Sequence, residues 1–286
     1  MKNFTLGKYV PYDSWVHRLD PRVKIAGTIL LMVAVFFPLA TYAMSFAFAG
    51  ALFLLISFLL ISTRTPISSV LSSLKSMWVM IVFLLLIYVL VPKANHVLPI
   101  AWNLNGWIVY WDSFAEAGKI FLRLFMMVMI TMALTSSTKP LDLTYALEWY
   151  LTPLKVIHFP AAEVAMTISI ALRFIPTLLD DATRVMKAQA SRGVDMERGK
   201  LVTKIVGLTS LIIPLFVSAF MRSEELANAM ECRGYDPRKK RTRYRKMRFN
   251  VLHLIPLVLS AGILAGTIVL SVMKIDLFAL MGLNLL

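Results

Sequence analysis

Charged residues are scarce in this sequence. Asp, Glu, Lys and Arg make up 16% of its 286 residues against 58% hydrophobic, with a mean hydropathy of +0.73. A soluble domain carries about 25% charged residues, so the balance points to a membrane protein. Cysteine is nearly absent. Cys232 stands alone, which excludes an internal disulfide framework, and no CxxC or His-rich spacing offers a metal site. His17, His96, His158 and His253 are too scattered to form one. Phosphate-binding loops are missing as well: the Walker pattern needs Ser or Thr after Gly-Lys, and the three Gly-Lys pairs are followed by Tyr9, Ile120 and Leu201. Neither a Gly-x-Ser-x-Gly elbow nor a His-Glu-x-x-His helix occurs, so a hydrolytic enzyme lacks its signature. Acidic residues are outnumbered, 16 against 30 Lys and Arg, for a formal charge of +14. On so apolar a chain that charge must sit in short polar segments, at a cytoplasmic membrane face or against an acidic partner. Nucleic acid fits less well, because the basic residues adjoin membrane segments without the interleaved aromatics of a stacking platform.

What is present is a series of apolar runs. Residues 1–24 are polar and mixed, a cytoplasmic N-terminal segment, and the run that follows starts too late and continues too far for a secretory signal. Residues 25–62 carry no charge, about twice the ~20 residues one membrane helix needs. With Pro38 and Thr41 near the middle, two helices joined by a tight turn fit best. Ile67, Val70, Leu71, Leu74, Met77 and Trp78, with serines and Lys75 opposite, predict an interfacial amphipathic helix over 66–77. A third span follows to Val91. Residues 92–113 read as an external loop or hairpin with interfacial tryptophans. A fourth span, 114–137, completes a four-span bundle over 25–137. Between residues 238 and 250 lie Arg238, Lys239, Lys240, Arg241, Arg243, Arg245, Lys246 and Arg248 with no acid among them, a cytoplasmic linker by the positive-inside rule. A final span within 251–286, from about Val251 to Met273, brings the total to five and places the C-terminus outside.

Residues 138–237 depart from simple hydropathy. A short amphipathic helix, about Leu141 to Val156, leads to Pro160 and then to two long helical patterns, Ala161 to Arg192 and Lys200 to Arg233. At about 1.5 Å per residue each reaches ~45 to 50 Å, more than a hydrocarbon core of ~30 Å. Glu163, Arg173 and Pro176 interrupt the first and Pro214 the second, which predicts slanted or partly cytoplasmic helices, with a kinked transmembrane hairpin as the alternative. Glu163 falls in a first turn, where an acid suits the helix dipole; an ion path is its other reading. Each pattern closes on Arg-Gly-x-Asp: Ser191-Arg192-Gly193-Val194-Asp195 and Cys232-Arg233-Gly234-Tyr235-Asp236. Gly193 and Gly234 stand where a left-handed C-cap is wanted, and an arginine before such a cap complements the negative end of the dipole. The pair together, at corresponding ends of adjacent long helices, also reads as two presented docking arginines, whose planar fork suits a carboxylate or carbonyl.

These residues resemble the transmembrane T components of energy-coupling factor transporters, ABC-type importers of vitamins and metal ions. Asp13 to Lys24 is similar to the family's opening. Ala171-Leu172-Arg173-Phe174-Ile175-Pro176-Thr177-Leu178 with Ala188 to Gly193 is similar to its first coupling-helix motif, and Cys232-Arg233-Gly234-Tyr235 to its second. The likeness covers nearly the whole chain, and Gly7-Lys8-Tyr9-Val10-Pro11 looks most like the shared form that serves several substrate-binding proteins. Ser191 and Cys232 replace the alanine often found before each arginine. The resemblance implies an all-α polytopic protein of about five full spans with long cytoplasm-facing coupling helices, in the cell membrane of a prokaryote. It also implies a non-catalytic subunit: Ser191, Arg192, Gly193, Cys232, Arg233 and Gly234 would dock two ABC ATPases, ATP and Mg being bound there and no cofactor on this chain. Closure of the ATPases would then reorient an interchangeable substrate-binding S component. Ala161, Ala165 and Ser169 form a small-xxx-small row that could contact it, packing within this chain being the other use of such a row. Asp20-Pro21 also reads locally, as a cap and first-turn proline of the first membrane helix. The competing class is a self-sufficient secondary transporter or channel, for which only the Arg173 to Pro176 region offers a polar midplane site.

Overall fold

A computed structural model describes residues 12, 14–39, 41–90, 99–104, 107–157, 159–193, 201–236, 239 and 251–273. Gly7 to Pro11, Asp13, Val194, Asp195, all of the basic cluster except Lys239, and residues 274–286 lie outside them. In chain order the helices are α1 (Trp15–Arg18), α2 (Pro21–Phe36), α3 (Tyr42–Ser62), α4 (Ile67–Leu90), α5 (Trp111–Ser137), α6 (Pro140–Leu151), α7 (Ala161–Ser191), α8 (Leu201–Cys232) and α9 (Leu254–Val272). Residues 1–143 with 247–286 form one compact unit and residues 144–246 another.

The first unit is a membrane bundle. Asp20 accepts a hydrogen bond from the Arg22 amide at 2.9 Å and Pro21 stands at the first helical position, so α2 begins as its sequence dictates. Pro38 follows its end, and the Phe37 carbonyl exposed there accepts from Arg123 Nη2 of α5 at 3.1 Å. At the opposite end Lys24 Nζ donates to the Ser137 carbonyl at 2.9 Å, and the Thr65 and Ser136 hydroxyls lie 3.1 Å apart. Thus α2 starts where α3 and α5 finish, the up-and-down alternation of a multi-span bundle. The last of the described helices, α9, runs alongside α2 in the same direction. A Cβ on Gly27 would lie 3.6 Å from Ser260 Oγ, and one heptad further along each helix Ala34 and Thr267 are fully buried. Small residues are what let membrane helices approach this closely. Leu31, Val35, Leu52, Ile56, Leu60, Phe125, Met126, Met129 and Ile130 of α2, α3 and α5 fill the centre.

Two expectations change here. Residues 66–77 are not a separate interfacial helix: α4 is continuous from Ile67 to Leu90, because no proline, glycine or cap separates its serine-rich first turns from the apolar ones. None of its residues is fully buried: Val70, Leu74 and Met77 pack against the core, and the rest of the surface suits lipid. Among the described residues five helices are long and apolar enough to cross a membrane, α3, α4, α5, α7 and α9. That set admits α7 and omits the 16-residue α2, which the sequence reading had counted as a span. The all-α architecture carries one addition, an antiparallel hairpin of β1 (Ile100–Leu104) and β2 (Trp107–Tyr110), pairing Leu104 with Trp107 and Asn103 with Ile108. Its aromatic and β-branched residues favour that state.

An unforeseen polar cluster ties α3 to α5. Tyr42 Oη and Lys119 Nζ both donate to Glu116 Oε1 at 3.0 Å, and Lys119 sits 5.0 Å over the Tyr42 ring. Glu116 is 7% exposed. A carboxylate buried in a membrane bundle requires such partners.

Candidate functional site

The second unit is built on α7 and α8. Both helices run through a proline, Pro176 and Pro214, and stop at glycine. Gly193 and Gly234 have φ of +81° and +74°, the left-handed region that costs glycine nothing. At the end of α7 the amides of Arg192 and Gly193 donate to the carbonyls of Gln189 and Ala190, both at 3.0 Å. At the end of α8 the Tyr235 amide returns to Met230 at 3.0 Å and the Gly234 amide to Glu231 at 2.8 Å. This is the paired 6→1 and 5→2 closure of a Schellman cap.

Capping is therefore done by the glycines and their backbone, and the arginines are carried on the last helical turn with their side chains outward. Ser191, Arg192 and Gly193 are exposed, as are Cys232, Arg233 and Gly234. Ser191 turns its hydroxyl back onto the Lys187 carbonyl at 3.0 Å, and Cys232 is a free thiol. Among the described residues neither guanidinium meets a partner.

The two tips do not lie together. Gln189 Nε2 donates to the Ser210 carbonyl at 3.5 Å, and the Arg222 guanidinium grips the Asp181 carboxylate. As α7 is followed backwards, α8 is followed forwards, so the helices pack antiparallel. Arg192 and Arg233 each come 11 residues after their member of the Asp181–Arg222 pair, in opposite directions. At about 1.5 Å per residue the tips stand roughly 30 Å apart along the helix axes. Corresponding ends in the chain are thus opposite ends in space, because the two helices are antiparallel.

The small-residue row divides. Ala161 and Ala165 are 1% and 3% exposed, already covered within this chain, whereas Ser169 is half-buried with its hydroxyl on the Ala165 carbonyl at 2.8 Å. Glu163 is exposed in the first turn of α7. Arg173 and Pro176 are exposed on an unbroken helix, not on the split helix that a midplane transport site needs. Sequence reasoning missed Asp181 and Arg222. Their signal was present, since Arg222 is the sole basic residue of α8 after Lys204 and Asp180-Asp181 stand in an otherwise apolar turn of α7.

A multi-pass helical bundle joined to a unit that presents two arginine-tipped helix ends defines a polytopic membrane protein with two exposed basic tips. The chain belongs to the CbiQ family, described as a cobalt transport protein, which it matches over residues 12–244. It is 41% identical over 271 residues to the energy-coupling factor transporter transmembrane protein EcfT of Heliobacterium modesticaldum, covering 95% of both chains. The EcfT of Staphylococcus aureus is 38% identical over 96% of this chain and 98% of its own. That of Bacillus subtilis is 40% identical over 86% and 90%.

Proposed function

We propose that this chain is the transmembrane coupling component of an energy-coupling factor importer, with Arg192 and Arg233 each seated in a groove of one of two ABC ATPases. The observation that carries this reading is the pair of exposed arginines on glycine-capped ends that point in opposite directions, one for each ATPase. ATP and Mg belong to those partners, and this chain supplies neither a phosphate loop nor a cofactor. Closure of the ATPases moves the tips, and α7 and α8 pass the motion to an S component that holds the vitamin or other micronutrient. Ser169 is the member of the small-residue row left partly open for that contact. A secondary transporter or channel is disfavoured by the unbroken α7 and by the relatives. The test is affinity purification in mild detergent: two ATPases and an S component co-purify, and the complex hydrolyses ATP. The chain stripped of ATPases has no turnover, and turnover by such a preparation ends this reading.

The membrane is the prokaryotic cell membrane, with the N-terminus, the basic linker and the coupling helices cytoplasmic and the C-terminus external. Eight basic residues in the linker, against a nearly neutral loop at 92–113, support that sense. Cysteines placed at Asn95 and Thr242 in a Cys232→Ser background are expected to label from opposite sides. An impermeant thiol reagent reaching both in intact cells would falsify the topology.

A further inference from the structure

We propose that Asp181 and Arg222 are positioning residues, the clamp about which the two arginine tips are held apart and moved together. The inference rests on the coupling function above. It starts from the two side-chain hydrogen bonds described between α7 and α8: Gln189 to Ser210 is long and neutral, whereas Asp181 to Arg222 is charge-assisted. A guanidinium on a carboxylate is the stronger and more directional of the two. The pair is half-buried, with side chains 30% and 19% exposed, so water screens it only in part.

Its position along the helices is what gives it a role. Each tip lies 11 residues beyond the clamp, while the far ends, Ala161 of α7 and Leu201 of α8, lie 20 and 21 residues before it. Because the helices are antiparallel, the two tip-bearing arms are equal in length and point in opposite directions, and each arm of about twice that length runs on the side of the other helix's tip. A displacement imposed on one tip is matched at the other. Rotation about the clamp is then enlarged about twofold at the far ends, at about 1.5 Å of arm per residue. If the rods slide past one another, the same displacement is spent on changing their register.

The experiment uses the full complex carrying Asp181→Asn, Arg222→Gln, Arg222→Lys or the exchange Asp181→Arg with Arg222→Asp. Three quantities are measured for each: ATPase co-purification, ATP hydrolysis, and ATP consumed per substrate imported. The single variants are expected to retain their ATPases and hydrolyse ATP, while ATP consumed per substrate rises about 2- to 30-fold, the range of coupling changes from residues that touch neither partner. Arg222→Lys, which keeps the charge but not the fork, falls between wild type and Arg222→Gln. The exchange returns the ratio to near wild type. An unchanged ratio in every variant that assembles overturns the proposal. So does loss of assembly across all four, which makes the pair a contact that merely holds the fold. A wild-type complex that itself lacks ATPases sinks the coupling function instead, so the two failures are distinguishable.

Discussion

Alanine at both Arg192 and Arg233 is expected to strip the ATPases from the membrane while leaving the membrane bundle folded. Each arginine occupies the C-cap position next to a left-handed glycine, and the cap's hydrogen bonds are made by backbone atoms. Removing a cation from a helix end costs at most ~1 kcal/mol of local stability through the dipole. Removing one that is seated and desolvated in a partner groove strands its acceptors and costs ~2 to 5 kcal/mol. Single substitutions are expected to keep partial assembly, because the remaining tip holds the second contact at high effective concentration. They lose uptake while hydrolysis continues. The double substitution removes both anchors. Lysine is expected to rescue poorly, since it restores the charge without the planar fork. Co-purification and ATP-driven uptake, normalised to membrane abundance, report on all five variants. Normal assembly and uptake in the double alanine variant reduces both motifs to caps.

Glu116→Ala is expected to have the largest effect within the bundle. It deletes the acceptor shared by Tyr42 and Lys119 and leaves an ammonium, 19% exposed, without its counter-charge between α3 and α5. Breaking a buried pair by removing one partner costs ~3 to 5 kcal/mol, and the partial exposure of Lys119 places this case near the lower figure. Glu116→Gln keeps an acceptor for Tyr42 and is expected to cost less. Glu116→Gln with Lys119→Met removes both charges and is expected to recover most of the loss. Thermal unfolding in detergent, followed by labelling of a buried cysteine introduced at Ile56, ranks the three. Equal stability for Glu116→Ala and wild type makes the cluster superfluous.

The features legible in the sequence were those written in local chemistry. The ends of α7 and α8 were readable to within a residue, because Pro160 precedes one helix and Gly193 and Gly234 follow the two. Asp20 and Pro21 announced α2 in the same way. What escaped was chemistry between distant positions. Tyr42 and Glu116 are 74 residues apart and Asp181 and Arg222 are 41, and no periodicity marks a charge for a partner that far along the chain. Membrane context deepens the difficulty. Apolar residues face lipid and core alike, so hydropathy located α4 without revealing that none of its residues is fully buried. It also split α4 in two, because serines beside Lys75 look interfacial whether or not a helix end follows.

The pairing of α2 with α9 bears on how the protein is made. Gly27 meets Ser260, so the flank of the first membrane helix is closed by the last one, more than 200 residues later in synthesis. At ~5 to 20 residues per second, that interval is at least about ten seconds. Within it α2, only 16 residues long and bearing Arg22 and Lys24, gains first α3 and then α5 for company but keeps bare lipid or the insertion machinery on its α9 side. Ribosomes stalled before Leu254 should therefore leave nascent chains whose first helix is still open to chaperones and membrane proteases, and release of α9 is the event that ends that exposure.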